Sequence, residues 1–286
     1  MPEDNEPIAA PKNAPLELKL RIMLRNWSYP EFREVLYREA REGEDHRYAN
    51  VYKRIYAYLR ALELREQGLR FNGVREALRN ELGYRLSKSV LSHWFNDVCT
   101  PLGSLIVFDV RCPEVGLVMG LILSDGTKGR YRSSPMLRFF NKDEELIEEF
   151  KGACRKLGLT VFEKPIPSGC QALHVKSVLL YLLLRRFDEF IIKAPPDVQW
   201  RFIRGLWLGD GHISLKVKLD NADLRIINTV STLLEMHGVG CTIQGPYPPH
   251  PPGKKPLYRV YIRGCSKERF LKLAGLAEGP TRPMAP

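Results

Sequence analysis

Apolar residues recur at helical spacing through the first third of the chain. Between Tyr48 and Leu62 they lie three or four positions apart, and Gly68 ends this pattern. An earlier helical pattern begins at Leu16. The first 14 residues are instead rich in proline, alanine, asparagine and acidic side chains, a composition typical of disorder. The patterns therefore predict a helical region that follows a short disordered segment.

Ser28 and Glu31 have the spacing of a capping box, in which each side chain bonds the backbone N–H of the other residue. This spacing predicts a short helix that begins near Ser28 and reaches about Glu42. We treat residues 1–45 as an N-terminal extension that is partly disordered.

Two further helical segments, about Gly73–Leu82 and Ser87–Asn96, are separated by a short turn that contains glycine. Ser87 has a side chain suited to cap the second helix. This arrangement predicts a helix-turn-helix DNA-binding domain at residues 46–102. The side chains left free to enter a groove are Lys88, Ser89, Ser92 and His93. A helical hairpin with solvated arginines is the alternative, but ten Lys and Arg against five Asp and Glu in this domain favour DNA.

From Pro101 onward strands alternate with helices, and one segment recurs. Gly120–Gly126 reappears in altered form as Gly205–Gly211, and similar elements follow each copy. Each copy predicts the order helix, strand, strand, helix, strand, strand, helix. We expect an α+β fold with two pseudo-symmetric αββαββα repeats, at residues 103–194 and 195–286, the second ending in a short disordered tail.

Small residues occur every fourth position in the first helix of each repeat. Gly116 and Gly120 share one face of one helix, and Gly205 lies on the corresponding face of the other. Glycine inside a helix costs about 1 kcal/mol relative to alanine, so its repetition on one face calls for a compensating contact. The pattern predicts that the two helices pack closely at these glycines.

Each of these helices ends in an aspartate followed by glycine. Close packing brings Asp125 and Asp210 together at the negative ends of two helix dipoles, which is unfavourable without a cation. With the terminal carbonyls of Ser124 and Gly209, they offer the hard oxygen ligands that Mg²⁺ accepts. A single aspartate would be explained more simply as a polar helix end, but two matched copies favour a metal site for phosphodiester hydrolysis.

These copies make the chain similar to the LAGLIDADG homing endonuclease family over about residues 103–276. Gly120–Gly126 and Gly205–Gly211 match the family motif at the glycine, leucine, final acidic and final glycine positions. Leu123 and Leu208 replace the first aspartate of the motif, a position at which the family varies.

The resemblance implies a β-saddle that binds double-stranded DNA at a long asymmetric target, in a monomer that cuts both strands. It also implies that Asp125 and Asp210 are catalytic and hold Mg²⁺ or Mn²⁺, with Ca²⁺ as a substitute that does not support cleavage. Lys176 and Arg263 stand where the family places a basic or polar residue near each scissile phosphate, so both are expected to be catalytic. Intron or intein mobility is the genetic role that accompanies this activity.

Polar residues alternate with apolar ones along the predicted strands, which indicates a sheet face open to DNA. From Ile213 to Leu219 the odd-numbered residues are expected to pack inward and the even-numbered ones to face outward. The proline-rich stretch from Gly245 to Pro256 is expected to be an unpaired hairpin tip that reaches flanking phosphates. The predicted DNA contacts in the two repeats are Lys128, Arg130, Arg132, Arg138, His174, His212, Ser214, Lys216, Lys218, Lys254, Lys255, Arg259 and Tyr261.

The charge of the chain agrees with a nucleic-acid partner. Its 44 Lys and Arg exceed its 33 Asp and Glu, which leaves a net charge of +11. No apolar run approaches the ~20 residues of a membrane-spanning helix. The six cysteines are scattered without metal-ligand spacing, which predicts free thiols in a reducing compartment. We expect a cytoplasmic protein of a prokaryotic or archaeal cell, with an organelle as the alternative.

Two other functions compete with endonuclease activity. A non-cleaving DNA-binding transcriptional regulator could descend from such an enzyme, and the added N-terminal domain fits that role. An RNA splicing maturase is the third hypothesis. Because loss of one acid would have favoured a regulator and both acids are present, the sequence favours cleavage.

Overall fold

The described part of the N-terminal third of the protein contains five helices. The computed structural model describes residues 7–43, 46–131, 134–166, 169–249 and 255–276. No helix within these ranges is long and apolar enough to cross a membrane. The five helices are α1 (Leu16–Trp27), α2 (Pro30–Glu42), α3 (His46–Glu66), α4 (Phe71–Leu82) and α5 (Lys88–Phe95). The predicted helical region is therefore confirmed.

Part of the segment predicted to be disordered forms a strand. β1 (Ala9–Ala10) pairs antiparallel with β2 (Val107–Phe108), and the Ala10 side chain is fully buried. The prediction of disorder is wrong for β1, while residues 1–6 lie outside the described part of the chain. The composition of the segment did not predict this strand, because β1 forms only by pairing with β2, which lies far along the sequence.

The capping box predicted at Ser28 is wrong. Helix α2 begins with Pro30, and Ser28 Oγ donates instead to the Arg25 carbonyl at the end of α1 (2.7 Å). Proline at the first helical position is itself a favourable start, because its φ is preset and it has no N–H to satisfy. The cap predicted for α5 is confirmed, since Ser87 Oγ accepts the Val90 N–H at 3.2 Å.

A buried ionic contact joins the helical region to the first repeat. Glu39 on α2 is fully buried and lies between Arg185 (2.7 Å) and Arg186 (3.2 Å). Tyr52 on α3 donates to the Val178 carbonyl (3.0 Å). The helices therefore pack onto the repeats, whereas the sequence pattern predicts an extension and a separate domain. A truncation before the first repeat would expose this buried face, so substitutions are the better test of what the helices do.

The predicted order of elements is confirmed in both repeats. The first contains α6 (Pro113–Asp125), β3 (Gly126–Tyr131), β4 (Ser134–Asn141), α7 (Glu144–Lys156), β5 (Val161–Pro165), β6 (Gln171–Val175), α8 (Val178–Arg185) and the short α9 (Phe187–Ile191). The second contains α10 (Pro196–Asp210), β7 (Gly211–Ile213), β8 (Val217–Asn221), α11 (Leu224–Met236), β9 (Cys241–Tyr247), β10 (Leu257–Ile262) and α12 (Lys267–Ala274). The strands form two antiparallel sheets of matching order, β3-β4-β6-β5 and β7-β8-β10-β9, so the α+β fold class is confirmed.

Each sheet buries one face against its own helices. In β4 the side chains of Leu137 and Phe139 are fully buried, and Phe139 stacks on Phe150 of α7 with ring centroids 4.7 Å apart. In β8 the alternate residues Val217 and Leu219 are buried in the same way. Because side chains alternate between the two faces of a strand, the residues between them are left on the open face of each sheet.

The turn between β7 and β8 breaks the predicted alternation. Leu215 is 98% exposed, although its odd-numbered position predicts an inward side chain. Residues 214–216 form bends rather than strand, so the period of two ends at Ile213 and starts again at Val217. The inward assignment of Leu215 is therefore wrong.

The proline-rich stretch is partly strand, contrary to prediction. β9 continues through Pro246 to Tyr247, which pairs with Leu257 across a register shift. β9 is an edge strand, and proline is tolerated at a sheet edge because its missing N–H faces away from the ladder. Of the two lysines expected at this tip, Lys255 is exposed and Lys254 lies outside the described residues.

Candidate active site

The two motif helices pack along their glycine faces, as predicted. A Cβ added at Gly205 would lie 2.6 Å from the Leu117 carbonyl oxygen, which is closer than real side chains approach. Equivalent Cβ atoms at Gly116 and Gly120 would overlap backbone carbonyls of α10. The missing side chains thus let the backbones of α6 and α10 touch, and the predicted helix interface is confirmed.

This packing places the two acids at the same end of the helix pair. Asp125 is the last residue of α6, and Asp210 is the last residue of α10. A Cβ at Gly209 would collide with the Ser124 side chain and lie 3.1 Å from Asp125 Oδ2. The Asp125 carboxylate therefore reaches across the interface to the last turn of α10, beside Asp210.

An asparagine holds each carboxylate from the end of the second strand of its repeat. Asn141 Nδ2 donates to Asp125 Oδ2 at 3.0 Å, and Asn221 Nδ2 donates to Asp210 Oδ2 at 2.7 Å. Each asparagine also accepts, through Oδ1, the backbone N–H of the N-cap residue of the next helix. Sequence reasoning missed both asparagines as site residues, although they occupy equivalent places in the repeat, and that equivalence was the available signal.

The environment of Asp210 opposes its ionisation. Burial raises its pKa to about 7, with smaller contributions from the negative charges of Asp125 and Asp220 and an opposing contribution from the Asn221 hydrogen bond. A carboxylate in this position is stabilised by a nearby cation, which would restore its ionised form.

A divalent cation fits the chemistry of these groups. The absence of a side chain at Gly209 leaves room for the Ser124 side chain and brings the Asp125 carboxylate to the last turn of α10, next to Asp210. Among the described residues no group of three or more His, Cys, Asp and Glu side chains is arranged to hold a metal. A cation bound here would therefore take the two carboxylates together with backbone oxygens, for which Ser124 and Gly209 remain the predicted donors, and with water or phosphate oxygens, as Mg²⁺ does in phosphoryl-transfer sites.

The two basic residues predicted to be catalytic do not lie next to the acids in the strand register. Gly126, which follows Asp125, is level with Phe139 on β4 and Leu173 on β6. Lys176 is three residues beyond Leu173, or about 10 Å along the strand, and its Nζ lies 5.7 Å from the centre of the Phe162 ring.

Arg263 has the same offset from the second acid. Gly211 is level with Leu219 and Val260, so Arg263 also lies three residues further, about 10 Å along β10 and its continuation. Its aliphatic stem packs over Gly240. The catalytic roles assigned to Lys176 and Arg263 stay predictions that the strand register does not favour.

An ionic cluster lies beside Asp210 instead. Asp220 accepts hydrogen bonds from Arg259 Nη2 (2.9 Å) and Lys218 Nζ (3.1 Å), and Arg259 also lies over the rings of Tyr247 and Tyr261. Burial acts to raise the pKa of Asp220, but the bonds from Arg259 and Lys218 hold it below its ordinary value. The cluster keeps two cations in fixed positions on the open face of the second sheet.

The described residues of the first repeat form no equivalent cluster. There Arg138 is level with His174, and burial together with the positive charges of Arg138 and Lys164 lowers the His174 pKa. Phe140 is level with Ala172 where the second repeat has Asp220 level with Arg259. The two halves of the site therefore present different chemistry to a bound partner.

Most predicted DNA contacts lie on the surface as expected. The exposed ones are Lys88, Ser89, His93, Lys216 and Lys255, and the half-buried ones are Ser92, Arg138, His174, His212, Ser214, Lys218, Arg259 and Tyr261. The side chain of Arg130, and all of Arg132 and Lys254, fall outside the described part of the chain.

Lys128 departs from the prediction. It pairs with the buried Leu137, so its side chain lies on the helix-packed face of the sheet, whereas Arg138 lies on the open face. Its Nζ donates to the Leu184 carbonyl (3.3 Å), next to the Phe187 ring. Pairing with Leu137 therefore sets a different face from the open one expected, but Lys128 is exposed and its contact with DNA stays a prediction.

The raised pKa of Asp210 predicts a pH-dependent effect of Asp210→Asn on stability. As pH rises the unfolded chain ionises first, so this group lowers the free energy of unfolding between about pH 4 and pH 7. In EDTA at pH 8, the free energy of unfolding of Asp210→Asn should exceed that of the wild type by on the order of 3 kcal/mol, and its melting temperature should be higher. Near pH 4 the two proteins should differ little. Adding Ca²⁺ at pH 8 should raise the melting temperature of the wild type and reduce the difference in melting temperature between the wild type and Asp210→Asn. A difference in melting temperature that stayed constant across this pH range would contradict the raised pKa of Asp210.

Comparison with known proteins agrees with this geometry. Residues 197–275 match the family described as LAGLIDADG-like domain. A DNA polymerase of Thermococcus hydrothermalis is 24% identical over 241 residues, which are 78% of this chain and 13% of the polymerase. An uncharacterised protein of Methanocaldococcus jannaschii, MJ1054, is 23% identical over 141 residues, which are 43% of this chain and 16% of that protein. The chain thus spans only about an eighth to a sixth of the length of these relatives.

Two solved structures are also similar in fold. The homing endonuclease I-DmoI in complex with DNA and Ca is 21% identical with a TM-score of 0.48, covering 60% of this chain and 95% of that one. The N-terminal LAGLIDADG domain of DUF199/WhiA is 13% identical with a TM-score of 0.44, covering 58% of this chain and 84% of that one. The family match confirms the resemblance inferred from the sequence, and the residues it matches, 197–275, lie in the second repeat.

Proposed function

We propose that this protein is a site-specific DNA endonuclease that hydrolyses both strands with a divalent cation held at Asp125 and Asp210. The observation that carries the proposal is the pair of carboxylates brought together by a glycine-lined helix contact, each held by an equivalent asparagine. The cation would be Mg²⁺ or Mn²⁺, with Ca²⁺ as a substitute that permits binding without cleavage.

Charge supports double-stranded DNA as the partner. The chain carries a net charge of +11, and Arg138, Lys218 and Arg259 lie on the open faces of the two sheets. Because one chain holds two unlike half-sites, a monomer would meet a long asymmetric target. Arg and Lys on such faces hold phosphates and reach base edges in a groove.

The residues of this chain have separable roles in the proposed reaction. A bound divalent cation would supply a more acidic water and neutralise charge on the leaving oxygen. Asn141 and Asn221 orient the carboxylates by donating to one oxygen of each, which fixes the direction of the rest of the group. Arg259, held by Asp220, places a fixed positive charge on the face where a phosphate would lie.

A selection experiment tests the proposal. The protein is incubated with a randomised duplex library with and without Mg²⁺, and both the cut and the bound fractions are sequenced. We expect one long sequence to be enriched in both fractions, with cleavage only when Mg²⁺ is present. Enrichment in the bound fraction alone would favour the non-cleaving regulator, and failure to bind any duplex while binding structured RNA would favour the maturase.

Lys216 and Lys218 should affect DNA binding in different ways. Lys216 is exposed on the turn between β7 and β8, whereas Lys218 is held by Asp220 at 3.1 Å. The sequence alone favours a base contact for Lys216 and a phosphate contact for Lys218, and these positions reverse that expectation. We expect Lys216→Ala to weaken all sequences about equally and to lower the salt slope by about one unit, as a phosphate contact would. Lys218→Ala should cost about 1 to 3 kcal/mol and relax the preference at one base pair. Titrations on the selected site and its single-base variants measure both effects, and if neither changed, this sheet face would not bind DNA.

A further inference from the structure

An arginine-lined cleft lies in the helical region, away from the paired acids. It has a volume of about 440 Å³ and lies between α4 and the segment that connects α4 to α5. Its lining residues are Asn72, Arg75, Glu76, Arg79, Arg85 and Leu86. The four from α4 share one face of that helix, because they are spaced at three and four positions. The opposite side of α4 is buried through Val74, Leu78 and Leu82.

The floor of the cleft is held in place. Arg75 Nε donates to the Leu86 carbonyl at 2.8 Å, which ties the helix to the connecting segment. Leu86 is buried, and Gly83, in a left-handed conformation at φ +63°, ends α4 and turns the chain toward Arg85. Arg75 is therefore held at the floor of the cleft, and the exposed side chains of Arg79 and Arg85 border the same cleft.

The cleft carries an excess of positive charge. Glu76 is its one acidic lining residue, against three arginines. The neighbouring Glu81 is engaged elsewhere, since it accepts bonds from Arg60 at 2.8 and 2.9 Å. Within the described residues, Arg79 and Arg85 form no ion pair with an acidic side chain closer than 4 Å. Two exposed guanidinium groups are thus available to an anion.

The chemistry of the lining selects a phosphate backbone over a nucleotide or a single strand. None of the six lining residues is aromatic, and sequence-tolerant binding of single strands depends on bases stacking on aromatic rings. Arginine in a fixed position bonds phosphate oxygens through its forked donors. Four residues of α5 are predicted to contact DNA, and Lys88 is the single Lys or Arg among them. The face of α5 next to the cleft therefore has little positive charge with which to bind DNA by itself.

We propose that the Arg75–Arg79–Arg85 cleft binds the phosphate backbone of duplex DNA that flanks the cleavage site. This inference rests on the proposed function, since it extends the DNA-binding surface of the same enzyme. In helix-turn-helix proteins the first helix crosses the backbone while the second enters the groove. Here α4 would bind the phosphate backbone, and this contact would position α5 in the groove.

The test compares Arg79→Ala/Arg85→Ala with the control pair Arg21→Ala/Arg155→Ala, in the full chain. Arg21 and Arg155 are similarly exposed, with side chains 56% and 72% accessible, and lie on α1 and α7. Binding to a labelled 40-bp mixed-sequence duplex is measured in Ca²⁺ at several KCl concentrations. The cleft variant should bind about tenfold more weakly at low salt, with a salt slope lower by about two units, because two phosphate contacts are lost. The control pair should match the wild type, and both variants should melt like it.

Three further results decide the inference. Arg79→Glu/Arg85→Glu should weaken duplex binding more than the alanine pair, and a 40-nucleotide single strand should be affected less than the duplex. Equal salt slopes for the cleft and control variants would overturn the inference, as would an equal loss on the single strand. The cleft variant should still cut the selected site at the same position. If the wild type bound the duplex but never cut it, only the endonuclease proposal would be refuted. If the cleft variant cut normally and bound as tightly as the wild type, only the proposed role of the cleft would be refuted.

Discussion

Replacing either Asp125 or Asp210 by asparagine is expected to abolish double-strand cleavage while leaving DNA binding intact or slightly tighter. The two carboxylates lie at the ends of packed helices, so a cation held between them would lose a charged ligand in either variant. Binding should not fall, because removing a negative charge reduces repulsion of the phosphates. Cleavage assays in Mg²⁺ and binding titrations in Ca²⁺ on the same duplex separate the two effects.

Asp197→Asn is the matched control for this experiment. Asp197 is exposed in the first turn of α10, at the other end of the helix that carries Asp210. This variant should cleave like the wild type, which would show that loss of an acid on this helix is not in itself harmful. Full cleavage by Asp125→Asn or Asp210→Asn would remove the basis of the proposed active site.

Gly120→Ala should strongly destabilise the protein. An added Cβ would overlap the Phe202 carbonyl and lie 2.9 Å from the Leu206 backbone nitrogen, and neither backbone atom can move without displacing α10. Overpacking in a core typically costs about 1 to 3 kcal/mol, and a contact with backbone lies at the upper end of that range. We expect a fall in melting temperature of about 10 °C, on the scale of about 3 °C per kcal/mol for a chain of this size. Cleavage should fall further than stability, because the same displacement separates the two acids.

Gly152→Ala makes the same chemical change but is expected to raise the stability of the protein. Gly152 is inside α7, and a Cβ there would meet no atom within 4 Å. Replacing an interior helix glycine by alanine in open space should stabilise the protein by up to about 1 kcal/mol. If both variants melted like the wild type, the close contact between α6 and α10 would not exist in solution.

The central site was predictable because its determinants are local and repeated. Glycines every fourth residue define a helix face, and an aspartate before a glycine marks the end of that helix, so the spacing alone places Asp125 beside Asp210. The same repetition predicts the order of strands and helices in both repeats, since each element has its own hydrophobic period.

Other site features depended on contacts between residues distant in sequence. The repeat places Asn141 and Asn221 at equivalent positions, but their bonds to the acids form only because β4 and β8 return to the ends of α6 and α10. Cross-strand register decides that Asp220 and Arg259 lie level with each other beside Asp210, and that Lys176 and Arg263 lie further along their strands.

The sequence by itself determined the two repeats, the glycine contact between their first helices and the pair of acids, because these follow from periodicity within single elements. Tertiary structure decided which face each strand residue occupies and where the N-terminal residues pack. Lys128 faces the helices because it pairs with Leu137, Leu215 is exposed because a turn interrupts the strand, and Ala9–Ala10 is a strand because Val107–Phe108 lies beside it. For Lys128 and for Ala9–Ala10 the deciding interaction joins segments separated along the chain, which periodicity within one element does not record, whereas at Leu215 a turn at residues 214–216 replaces the strand that the alternation predicts.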